Sequence, residues 1–155
     1  MDTRQLSARD KDQGMSLAKK NAPRPTGTSV ALMGIALGLA VAVYISPKNE
    51  YFLDNFAGYW LPQAAVLCIT LLCKASRGTL GGIAITMALY LYLFDIWATE
   101  AMAWLFYLFS FPGILIGALL AIATSSRKAY EAPIAFAWVT LGTALGLVAI
   151  WLWVR

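Results

Sequence analysis

From Gly78 to Thr124 the chain is almost unbroken apolar sequence, and its only charged residues, Asp95 and Glu100, fall near the middle. A bilayer's hydrocarbon core, roughly 30 Å thick, takes about 20 helical residues. The stretch is therefore too long for one crossing and suits two, with Asp95–Glu100 as the turn between them. This predicts a transmembrane helical hairpin. The rest of the chain organises around it.

Composition points the same way. Only 13% of the 155 residues are charged and 60% are hydrophobic, whereas a soluble domain carries about 25% charged residues. Residues 1–27 form a polar, basic tail with few large apolar side chains, expected to be disordered because it can bury too little surface to offset its ordering entropy. The transmembrane region, 28–155, divides into spans of about 28–46, 57–73, 78–94, 101–124 and 134–154. Pro47 ends the first, Pro62 is expected in the first turn of the second, and Pro133 opens the fifth. The fold class that follows is all-α: a polytopic bundle of five transmembrane helices. Five spans, short loops and the tail account for the whole length, which leaves no soluble catalytic domain.

Charge sets the expected orientation. The tail, residues 74–77 and residues 125–132 share one side of a five-span topology and carry ten of the twelve Lys and Arg residues. The opposite side has only Lys48 and Arg155. Lys/Arg bias directs loops to the cytoplasm, so the N-terminus is expected inside and the C-terminus outside. The location implied is a bacterial inner (cytoplasmic) membrane. The net charge of +4 then reflects topology, and nucleic acid is not an expected partner. Lys19, Lys20 and Arg24 are candidates for contact with anionic lipid headgroups.

Candidate chemistry is sparse. There are no histidines, which removes His-ligated haem, His metal sites and His general bases. Cys68 and Cys73 fit neither a redox motif nor a metal pair and are expected as buried, unpaired thiols. Every Asp, Glu, Lys and Arg falls in the tail, a loop or a span end, whereas proton relays and ion pathways use ionisable groups within the membrane. The polar residues inside spans are Gln63, Thr70, Thr86, Ser110, Thr140 and Thr143. No catalytic residues, cofactor or metal ligands are assigned, and the chain is read as a non-enzyme.

Four features remain. Gly34 and Gly38, Gly113 and Gly117, and Gly142 and Gly146 are small-x-x-x-small pairs that let helix backbones approach closely, possible faces for another subunit among them. Ser110, Pro112 and Gly113 predict a kink in the fourth span, with Ser110 bonding a nearby carbonyl. Glu50, Asp54, Asp95 and Glu100 gather on the expected outer side, as solvated carboxylates or as a hard-cation or basic-partner site. Most Tyr and Trp residues also fall at that side, with Tyr107, Tyr130 and Trp138 elsewhere. This pattern suits an interfacial belt, or a collar that touches a lipid tail, a quinone-like ring or a partner helix. The function expected is a small accessory or assembly subunit, or a membrane immunity or exclusion-type protein, acting by helix–helix contacts with other integral membrane subunits. A small oligomeric transporter or flippase for a lipid-like or weakly polar substrate is the alternative.

Overall fold

The computed structural model describes residues 27–98, 103–125 and 130–154. These form five helices: α1 (Gly27–Ile45), α2 (Phe52–Leu72), α3 (Arg77–Trp97), α4 (Ala103–Thr124) and α5 (Glu131–Val154). Each is long and apolar enough to cross a membrane. Of the residues named above, Lys19, Lys20, Arg24, Glu100 and Arg155 lie outside those described, as do Arg127 and Lys128 of the basic 125–132 segment.

The expected five spans are present, and their boundaries move for local reasons. The loop expected over Pro47–Phe56 is shorter, because the Asn49 side chain accepts the Tyr51 N–H at 3.1 Å and α2 begins at Phe52. Asp54 then falls in its first turn, where a carboxylate suits the positive helix end. Pro62 is consequently interior to α2 rather than in its first turn. Having no N–H, it leaves the Gly58 carbonyl without its usual helical donor. At the far end, Lys74 adopts φ 55°. The Ala75 N–H reaches the Thr70 carbonyl at 3.1 Å and the Lys74 N–H reaches Leu71 at 2.9 Å, a Schellman cap with a lysine where glycine is usual.

Close packing is set by residues that lack a side chain. Between helices in lipid there is no hydrophobic drive, so backbone approach and van der Waals contact take its place. Gly34 of α1 lies against Gly81, Ala84 and Ile85 of α3, and Gly81 lies against Val30 and Ala31 in return. Gly82, on another side of α3, meets Ala132 and Ala135 of α5. Gly113 and Gly117 of α4 cross Gly142 and Gly146 of α5, with the carbonyls of Gly113 and Gly142 each directed at the other helix's glycine. Helix α3 touches all four others and is central, buried continuously from Thr79 to Ala84. Helix α2 is peripheral, and only Gln63, Val66, Leu67 and Thr70 on one face are buried. Cys68 and Cys73 lie off that face and are exposed free thiols, not the buried ones expected.

One end of the bundle is polar and clasped. The Ser76 side chain caps α3 by accepting the Thr79 N–H at 3.1 Å, and its hydroxyl donates to the Glu131 carboxylate at the start of α5. Glu131 also stands over Gly78, next to the positive N-terminal end of α3. Arg77 Nη1 donates to Thr28 Oγ1 at 2.7 Å, which ties α1 to the same point. The opposite end is aromatic.

Candidate functional site: a polar relay within an aromatic cluster, beside an apolar cleft

At the aromatic end, α2, α3 and α4 meet around Tyr107. Its ring is T-shaped to Phe111 at 5.1 Å between centroids, stacked on Tyr90 at 5.7 Å and 5.5 Å from Phe94. Trp104 continues the cluster to Tyr59 at 4.4 Å. The sequence reading set Tyr107 apart from the other aromatics. In the fold it is their hub, because α4 runs back from the aromatic end and Tyr107 lies only one turn below Trp104.

The polar atoms in this cluster form two chains that meet at Tyr107. Gln63 Nε2 donates to the Tyr107 hydroxyl at 3.2 Å, and that hydroxyl donates to the Tyr59 carbonyl at 3.0 Å. The Tyr90 hydroxyl donates to Ser110 Oγ at 2.8 Å, and Ser110 donates to the Tyr107 carbonyl at 2.7 Å. Gln63, Tyr107 and Ser110 are all essentially without solvent access. Among the described residues no buried side-chain nitrogen or oxygen lacks a partner, as a low-dielectric interior demands. Ser110 thus bonds the Tyr107 carbonyl rather than the Leu108 carbonyl that Pro112 frees, and α4 continues through Pro112 as one helix. Thr86 and Thr143 each return their hydroxyl to a carbonyl one turn back on their own helix.

The first glycine pair divides its work. Gly34 serves the α1–α3 contact, whereas Gly38 faces Trp60 and Gln63 Oε1 of α2, each 3.1 Å from where a Cβ would stand. Gly38 therefore makes room for the amide that holds Tyr107. Sequence spacing marked both glycines but not their separate partners.

Of the four acidic residues, Glu100 lies outside the described residues. Asp95 is half-buried in the last turn of α3 rather than in a turn beyond it, while Glu50 and Asp54 are exposed near the start of α2. Among the described residues no three His, Cys, Asp or Glu side chains converge in a way that could hold a metal ion.

Next to the aromatic cluster lies a cleft of about 350 Å³, lined by Phe94 and Trp97 of α3, Phe106 of α4, and Leu147, Val148 and Trp151 of α5. Residue size changes along the pair of helices that flank it. At the polar end α3 and α5 meet through Gly82, Ala132 and Ala135. Toward the aromatic end the same two helices present Phe94, Trp97, Leu147 and Trp151 to the cleft. No sequence pattern marked this cleft, because its six lining residues come from three helices.

Fold and site together define a polytopic helical membrane protein. No family model, curated protein or solved structure matches the chain.

Proposed function

We propose that this chain is a non-catalytic accessory or assembly subunit of an inner-membrane complex, docking on a partner helix through the outward face of α2. The observation that carries this reading is a stripe on that face: Gly58, Leu61, Ala65, Cys68 and Leu72, all exposed. Their alternating spacing of three and four residues is that of a left-handed helix–helix seam. Gly58 has no atom within 4 Å of where its Cβ would stand, while the described glycines of every other helix are packed against neighbours. The glycine pairs of α1, α4 and α5 are spent inside the bundle, so the case for a partner rests on α2. The Gly58 carbonyl, short of its usual donor because of Pro62, adds an acceptor to the stripe. In the expected orientation the polar, clasped end faces the cytoplasm, with Lys19, Lys20 and Arg24 available to anionic headgroups.

A transporter of weakly polar substrates is less well supported. Gln63, Thr86, Ser110 and Thr143 are committed to internal hydrogen bonds and do not line a shared path.

The test is purification in mild detergent with mass spectrometry of co-purifying chains, comparing wild type with Gly58→Trp. The expected result is a stoichiometric partner that the substitution removes without lowering the thermal midpoint, since the site is open. A homo-oligomer carrying only lipid would overturn the reading, as would a partner indifferent to Gly58→Trp.

A further inference from the structure

We propose that the cleft at the aromatic end holds a single acyl chain of a phospholipid from the adjoining leaflet. The inference does not depend on α2 docking, since the two surfaces share no residue. Three observations select this occupant. First, the cleft lies within membrane-spanning helices, and every lining residue is apolar or an indole. Its floor at Leu147 is roughly 10 Å below the end of α5 by helical rise, a depth that belongs to hydrocarbon rather than water.

Second, the extent of the cleft argues against a protein helix. Its lining covers Phe94 to Trp97 on α3 and Leu147 to Trp151 on α5, about one turn of each, whereas a docked helix anchors over two or more turns. A slender unbranched chain fits within that extent.

Third, the mouth suits the ester and headgroup level of a lipid. Trp97 and Trp151, both largely exposed, stand on α3 and α5 at the two sides of the cleft. Indoles prefer the membrane interface, where the ring is in contact with hydrocarbon and the N–H with polar groups. Phe94, in the buried aromatic cluster, forms the inner wall. The rigid relay around Tyr107 therefore supports the cleft from behind. Rigid packing against one chain, and not dehydration, supplies the preference over bulk lipid, because both environments are hydrocarbon.

The test is native mass spectrometry of the full chain in detergent, titrated with a phosphatidylcholine bearing one palmitoyl and one oleoyl chain. Val148→Phe fills the cleft from its exposed side. Val43→Phe makes the same change on the exposed surface of α1 at the same end of the bundle, and serves as the control. Wild type and Val43→Phe are expected to show one saturable lipid adduct, and Val148→Phe to bind about tenfold more weakly. Gly58→Trp should leave the adduct intact even if it abolishes partner binding. Non-saturating, multiple adducts on all variants would mean an exchangeable lipid annulus only and overturn the proposal. A single adduct unaffected by Val148→Phe would also overturn it, by placing the lipid elsewhere.

Discussion

Tyr107 occupies the position where a single atom has most consequence. Its hydroxyl joins α2 to α4 by receiving from Gln63 and donating to the Tyr59 carbonyl, and the Gln63 amide is buried away from any substitute. Removing the hydroxyl leaves that amide short of a partner in a low-dielectric interior, while the Tyr59 carbonyl keeps its place in the α2 helix. Tyr107→Phe is expected to lower stability by about 1 kcal/mol, in line with hydrogen bonds between membrane helices. Gln63→Leu should cost a similar amount. Because the two groups serve each other, the double variant is expected to fall short of the sum by about 0.5 kcal/mol or more. Denaturant titration in detergent micelles measures this cycle, and strict additivity would show that the two side chains act independently. Sequence reading noted Gln63 only as an isolated polar residue and placed Tyr107 outside the aromatic group. Their pairing spans 44 positions, and no local pattern encodes a distance of that kind.

Among the helices, the glycines sort by what a methyl group would meet. At Gly142 it would be driven into the Gly113 carbonyl, and at Gly117 into the Trp138 carbonyl. Backbone cannot rotate away, so Gly142→Ala and Gly117→Ala are each expected to cost about 1–3 kcal/mol as α4 and α5 are forced apart. Gly146 has more room, with the Ser110 carbonyl at 3.3 Å, and its alanine variant should be milder. Gly58→Ala should instead be neutral or stabilising by about 0.5–1 kcal/mol, since nothing is displaced and a helix-interior glycine is itself costly. Thermal unfolding followed by circular dichroism ranks the series, and a large loss at Gly58 would contradict the open face on which partner docking depends. The motif spacing G-x-x-x-G identified candidates for close contact, but Gly34 and Gly38 show its limit. They lie on one helix face and still serve two different neighbours.

The whole molecule is a central α3 joined to α1 and α5 through small residues, with α4 crossing α5 and α2 resting outside. Its two ends differ in chemistry, a Ser76–Glu131 and Arg77–Thr28 clasp at one and aromatic rings at the other. That asymmetry and the Lys/Arg distribution predict which end faces the cytoplasm. In a background lacking Cys68 and Cys73, a single cysteine at Lys48 should react with a membrane-impermeant maleimide in intact cells. One at Lys74 should react only after the membrane is opened, and the reverse pattern would invert the topology. Length, apolar runs and charge placement are one-dimensional quantities, because a helix crosses the bilayer by its own backbone hydrogen bonds and needs no neighbour to do so. The sequence by itself therefore determined that there are five helices of crossing length, though not their ends, since α2 begins at Phe52 and α3 runs through Asp95. Which helix lies at the centre, which glycine meets which backbone, that Tyr107 is a hub, and that a cleft opens between α3 and α5 were decided only by the tertiary structure. Those features arise from matching side-chain sizes across helices distant in the chain, and apolar residues facing lipid and apolar residues facing another helix carry the same signature in sequence.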